Sequence, residues 1–321
     1  MEIIRGLENL KSLGGKSVVT IGMFDGVHKG HQRIIGATIE EARKRRARSV
    51  VLTFEPHPIE VLKPGSHPPI LTSTELKAEL IEALGVDIFL VVNFTKGFAN
   101  LSPKEFIDHI ILKLLDACCL VVGETFKFGK NAEGDVTFLK EYRSKRGFDI
   151  ISIPLLEVNG KFVSSTYIRE LLREGELQKV KEILGRYPRI IGEVIKGCGR
   201  GKSLGFCTAN LRTVDKASIP KRGVYAGFIE FNGERKMCTI NIGTSPTFGG
   251  RRFKIETFII DFKGDLYRKR VELEICARIR DEKTFRNEKE LANQIREDIE
   301  VTKSLLFTGF SEYVKINRRK R

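Results

Sequence analysis

The sequence predicts an α/β fold followed by a β-rich one, and three observations carry that expectation. Up to about Leu184, short apolar runs alternate with helical patterns, as a parallel sheet with crossover helices requires. Beyond it, short β-rich runs are separated by glycine, proline and asparagine turns, the pattern of an antiparallel barrel or sandwich. A length of 321 residues allows two domains that each bury a core.

In chain order, the first half offers strands at "SVVTIG", "SVVLTF", "DIFLVVNF", "CCLVVG" and "FDIISIP". Two helices between them announce their starts. "TSTELKAELIEALG" has Thr72 as cap, Glu75 three residues on and Gly85 as stop. "SPKEFIDHIILKLL" has Ser102 as cap, Pro103 at the first helical position and Glu105 for a capping box. The second half offers "GRYPRIIGEVIKG", "GVYAGFIEF", "RKMCTINIG", "FKIETFIIDF" and "RVELEICARI" as strands. A last helix, from about Asn287 to Lys303, carries Leu291, Ile295 and Ile299 on one face. The boundary falls near Gly185 to Pro188, giving domains of 1–185 and 186–321, with no internal repeat.

Lysine and arginine number 56 against 41 acidic residues, a formal charge of +15 that points to an anionic partner, either phosphorylated small molecules or nucleic acid. The densest runs, "RKRRAR" and "NRRKR", read as a solvated helix end and a frayed terminus. Lys113 and Asp116 interrupt "IILKLLDACCLVV", the longest apolar stretch, so no membrane span is expected. "MEIIRGLENLK" has no secretory character, and a cytoplasmic location is expected. The six cysteines show no C-x-x-C spacing and read as reduced and mostly buried.

"TIGMFDGVHKGH" (Thr20 to His31) joins the first strand to a helix. A loop at the carboxyl end of a parallel strand faces the crevice where such sheets bind nucleotides, and the helix N-terminus adds free N–H groups and a positive dipole end. Three residues apart on a first turn, His28 and His31 share a face and can address one phosphate, while Gly26 and Gly30 let the backbone approach. Neither "GKS" at Gly201 nor "GGKS" at Gly14 is a P-loop, since Lys196 and Leu10 stand where the required glycine would be.

On these residues the first half resembles bacterial bifunctional riboflavin kinase/FAD synthetases. "GMFDGVHKGH" looks like the H-x-G-H signature of nucleotidyltransferases, and "TFEPHP", "VVGETFKFGKNAEGD" and "VSSTYIRELLREGEL" follow in the family's order. The resemblance implies a Rossmann-like domain in which His28, His31 and Arg169 stabilise charge during transfer of AMP from ATP to FMN. It places Gly22, Phe24, Asp25, Gly26, Gly30, Ser165 and Thr166 around the ATP phosphates, and offers His57, Phe126 and Phe128 to the flavin.

The second half is similar to the same family's riboflavin kinase barrel through "GRGKSLGFCTANL", "KRGVYAG", "NIGTSPTFGG" and "IETFIIDFKGDLY". Thr208 and Asn210 alternate along an extended segment and point the same way, so a hydroxyl and an amide oxygen can meet one Mg²⁺ with ATP oxygens. The resemblance assigns them that work, places Gly201 and Lys202 at the phosphates and makes Glu256 the base that accepts the riboflavin hydroxyl proton. Riboflavin, FMN, FAD and ATP are the implied partners, with Mg²⁺ as cofactor and no nucleic acid. Cys207, Lys202, Thr125 and Tyr167 depart from the family pattern, which predicts altered rates more than lost activity. The oligomeric state is not legible in the sequence.

Overall fold

The computed structural model describes residues 1–11, 13–143, 147–196, 208–213, 216–247 and 250–318. They form two compact units, Met1–Ser165 and Thr166–Arg321. The change of pattern near Gly185 therefore comes later than the division between units, which groups the helices over residues 165–184 with the barrel.

The first unit is built on a six-stranded parallel sheet, in the order β1 (Glu2–Arg5), β4 (Ile88–Asn93), β3 (Arg48–Glu55), β2 (Ser17–Ile21), β5 (Ala117–Gly123) and β6 (Asp149–Ile153). Five strands are those expected from the apolar runs. β1 is additional, an edge strand in which only Ile4 is buried, so it leaves no apolar run to read. Alternation divides the central strands between two cores: Val50 and Leu52 enter one and Val51 the other. Both faces are thus covered, and this is why the strands read as unbroken apolar runs.

The chain leaves β2 toward β3 on one side and later returns to β5 on the other, so the carboxyl end of β2 lies at a topological switch point. There α1 (Lys29–Arg45) begins, and it ends in the basic cluster, with Arg46 left-handed as C-cap. α2 (Pro58–Leu62) follows β3, and α3 (Thr74–Glu82) leads to β4. The cap of α3 is Ser73, one residue after the Thr72 expected, because tertiary contacts recruit the Thr72 hydroxyl elsewhere. α4 (Lys96–Ala99) is a single turn. α5 opens at Pro103–Glu105 with the expected capping box and continues over Phe106–Leu114 in the wider π geometry. α6 (Val136–Arg143) precedes β6.

The second unit opens with α7 (Ser165–Glu174, whose first residue belongs to the preceding unit) and α8 (Leu177–Leu184). Gly185 ends α8 at φ +75, a left-handed position that glycine takes without strain. Six antiparallel strands then close a barrel in the order β7 (Arg189–Ile195), β8 (Thr208–Thr213), β11 (Gly250–Ile259), β10 (Glu234–Thr247), β9 (Gly223–Phe231) and β12 (Arg270–Arg280). Closure leaves no sheet edge and decides between the two β architectures that the turn spacing allowed. α9 (Glu288–Arg318) runs longer than expected and docks through Ala292, Ile295 and Leu306. The Arg280 guanidinium grips the Asp298 carboxylate at 2.7 and 2.8 Å.

Candidate active sites

In the loop after β2, His28 is the N-cap of α1: its Nδ1 accepts the His31 backbone N–H at 3.2 Å. That bond leaves the proton of a neutral ring on Nε2, which makes Nε2 a donor. The His31 imidazole stacks on it at 3.5 Å between centroids and 17° between planes, and the Phe24 edge meets His31 at 5.3 Å. A Cβ at position 30 would stand 3.2 Å from the His28 ring, a tight contact, so Gly30 gives that ring room. Gly26 turns the loop at φ +89. The paired rings expected from the spacing are therefore one unit at a helix N-terminus.

Neighbouring groups lock this loop. The Asp25 carboxylate accepts from Leu71 N–H (2.9 Å), Thr72 N–H (3.0 Å) and the Thr72 hydroxyl (3.4 Å). Gly26 N–H donates back to the Thr72 oxygen at 3.0 Å. Ser165, the first residue of α7, donates its hydroxyl to the Asp25 carbonyl at 2.8 Å. Asp25 thus ties together segments 46 and 140 residues away. His31 Nδ1 is buried without a hydrogen-bond partner among the described residues. Burial first, then His28 and Lys77, hold its pKa well below the usual imidazole range, so the ring is neutral near pH 7. Gly22 precedes the loop, and Phe24 is buried behind it at φ +48. Thr166 and the buried Arg169 follow on α7, in the second unit.

Beside the sheet of the first unit lies a cavity of about 560 Å³ walled by Phe54, Phe94, Phe98, Phe106, Phe126 and Phe128. Phe126 and Phe128 stack on each other at 5.4 Å, Phe128 being anchored in the core while its ring edges the cavity. An apolar aromatic cavity of this size suits a planar ring system. Lys127, also at the rim, is held by Asp135 at 3.0 Å, while Lys96 and Lys130 line the cavity as further cations. His57 caps α2, its Nδ1 accepting Ile59 N–H at 3.1 Å, and its ring meets His67 at 4.3 Å. Pro58, the next residue, lines the cavity.

On the barrel, Asn210 of β8, Glu256 of β11 and Asn241 of β10 stand in one row across three neighbouring strands. Their neighbours Leu211, Ile255 and Ile242 fill the interior row, so alternation turns the polar row to the outer face. Thr208 lies two residues before Asn210 on the same face. Asn210 is 7% exposed, and its Oδ1 has no hydrogen-bond partner among the described residues. Glu256 meets Lys254 Nζ at 3.1 Å through one oxygen. Gly201 and Lys202 lie outside the described residues.

Sequence models of two families match the chain: FAD synthetase over residues 11–167 and riboflavin kinase over 184–306. A bifunctional riboflavin kinase/FMN adenylyltransferase of Buchnera aphidicola is 37% identical over 302 residues, covering 93% of this chain and 96% of that protein. Enzymes of the same name from Bacillus subtilis and Escherichia coli K12 are 38% and 36% identical, covering 90% and 93% of this chain and 92% and 96% of their own. The chain belongs to the bifunctional riboflavin kinase/FMN adenylyltransferase family. A Streptococcus pneumoniae crystal structure described as a macrolide-efflux protein is similar too, with TM-score 0.85, 30% identity, and coverage of 94% of this chain and 99% of that one. Among the described residues, no helix is long and apolar enough to cross a membrane.

Four features around these residues are not among the sequence expectations. Thr72 reads in the sequence as a helix cap and is in the structure a loop clamp, because a hydroxyl's tertiary partner leaves no local trace. Asn241 joins Glu256 only through strand register. Phe94 and Phe98 reach the cavity through folding of distant segments. Lys77 did leave a signal: it precedes Ile81 by four residues and so interrupts the apolar stripe of α3.

Proposed function

We propose that this chain, with the riboflavin kinase and FMN adenylyltransferase activities of its family, phosphorylates riboflavin on the barrel face carrying Asn210 and Glu256 and adenylylates FMN at the His28–His31 loop. Adenylyl transfer is assigned to residues 1–185 and phosphorylation to 186–321. A cytoplasmic setting fits ATP and flavin as substrates.

In the kinase step, a Glu256 oxygen accepts the proton of the riboflavin 5′-hydroxyl as that oxygen bonds to the γ-phosphorus of ATP and ADP leaves. The unspent Oδ1 of Asn210, buried beside Thr208, is the donor set a hard cation needs, so these two residues would hold Mg²⁺. Bound there, Mg²⁺ supplies positive charge to the ATP phosphates. In the adenylyl step, an FMN phosphate oxygen bonds to the α-phosphorus of a second ATP and pyrophosphate departs. The ionised nucleophile needs no base, so the work is charge stabilisation by His28, His31 and the α1 N-terminus. Gly26 and Gly30 keep the loop close to the phosphates, Asp25 and Ser165 fix it, and Thr166 and Arg169 are assigned to the triphosphate by family likeness. Phe126 and Phe128, with the rest of the aromatic cavity, are assigned to the flavin ring; His57 shapes its rim by capping α2.

The observation that carries this reading is the stacked imidazole pair heading α1 inside the matched family span. Incubation with riboflavin, ATP and Mg²⁺, followed by chromatography, tests it: FMN appears first and FAD follows. A chain that forms neither refutes the assignment.

A further inference from the structure

Lys77 lies on the first turns of α3, four residues past the Ser73 cap, and is only 5% exposed. Lysine is among the side chains least often buried, and a buried ammonium needs acceptors for its protons. Among the described residues Lys77 makes no hydrogen bond and no ion pair. The nearby carboxylates are occupied: Asp25 accepts from Leu71 and Thr72, while Glu55 takes Arg5 at 2.9 Å and the Thr74 hydroxyl at 3.0 Å.

Those same bonds place Asp25 and Glu55 around the first turn of α3. Helical side chains lean toward the N-terminus, so the Lys77 stem runs back toward that turn. Burial lowers the proton affinity of Lys77 below that of an ordinary lysine, Asp25 and Glu55 oppose this through space, and the Lys77 charge in turn lowers the proton affinity of His31. The Lys77 side chain, without a hydrogen bond to the described residues, therefore stands by the histidine loop, where incoming phosphate oxygens would offer acceptors to its ammonium.

We propose that Lys77 is a third phosphate-binding group of the adenylyl-transfer site, its ammonium donating to the ATP phosphates beside His28 and His31. This rests on the assignment of adenylyl transfer to that loop. Lys77 moves no proton in the step: the FMN phosphate oxygen bonds to the α-phosphorus, the bond to the β-phosphate oxygen breaks, and pyrophosphate leaves with the electron pair while the ammonium stabilises its charge. The competing role is a packed counter-charge to Asp25, which would affect stability alone.

Full-length wild type, Lys77→Met and Lys77→Arg separate these roles. Each is assayed for FMN adenylylation, riboflavin phosphorylation and thermal unfolding, and pyrophosphate binding is followed by calorimetry. Lys77→Met is expected to lose about 10²-fold in kcat/KM for adenylylation. Its pyrophosphate affinity falls about tenfold, riboflavin phosphorylation holds, and Lys77→Arg regains part of both losses. Unchanged pyrophosphate affinity and kcat/KM in Lys77→Met, with only a lowered unfolding temperature, overturns the proposal. Should Lys77→Met fail to fold, Lys77→Gln takes its place, and unchanged pyrophosphate affinity there is equally fatal. Wild type that turns riboflavin into FMN but never FMN into FAD overturns the assignment beneath the proposal instead.

Discussion

In the α/β unit the groups proposed for adenylyl transfer sit at a helix terminus in a hydrogen-bonded loop, whereas those proposed for phosphorylation stand along barrel strands with an acceptor left unspent among the described residues. His28 is bonded through Nδ1, its loop is clamped by Asp25, Thr72 and Ser165, and the His31 ring is stacked and neutral. Among the described residues, Asn210 keeps a buried oxygen without a partner and Glu256 is engaged through one oxygen. The difference suits the chemistry proposed for each unit. Adenylyl transfer between ionised groups calls for rigid donors aimed at developing charge. Phosphorylation of an alcohol calls for a base and a cation site, both of which require lone pairs held in reserve.

The largest expected effect cuts between the two regions. His31→Ala should cost about 10²–10³-fold in FMN adenylylation and spare riboflavin phosphorylation, so that FMN accumulates. Glu256→Gln should cost about 10²–10⁴-fold in riboflavin phosphorylation and spare the conversion of FMN to FAD. Product chromatography reads both, and a variant that lowered both activities equally would break the separation of sites.

Stability should separate the regions too. Removing one partner of a buried ion pair strands the other, so Asp298→Ala should destabilise the barrel unit by about 3 kcal/mol in urea unfolding. FMN adenylylation at low denaturant should survive it. Loss of both activities at the same urea concentration would show that the units unfold together.

The smallest effect sharpens the account of His31. Because folding depresses its proton affinity, the unfolded chain binds more protons as the pH falls toward and below the ordinary imidazole value of 6.5. Stability should be full above that value and decline below it, by at most about 1.4 kcal/mol per pH unit from this group. Denaturation curves between about pH 7 and pH 5 should show the slope, reduced in His31→Gln. An equal slope in the variant would assign the effect to other groups.

Much of this was legible in the chain. Apolar runs gave five of the six strands of the first sheet, and the H-x-G-H spacing gave the paired histidines at the head of α1. The Ser102 capping box was local and therefore readable. The cap of α3 is Ser73 and not Thr72, because the Thr72 hydroxyl is spent on Gly26 and Asp25, which lie far away in sequence. β1 is not legible in the sequence, because an edge strand with one buried side chain has no period to detect.

By itself, then, the sequence determined what depends on near neighbours: strand and helix periods, caps, turn residues and the order of chemical motifs along the chain. Only the tertiary structure decided what depends on register and closure. It shut the barrel, set Asn241 beside Glu256 and Asn210, gathered the phenylalanines of separate segments around one cavity, and buried Lys77 near His31. The physical reason is that these placements are fixed by hydrogen-bond ladders and packing between segments distant in the chain, whose energies appear only once the whole fold has formed.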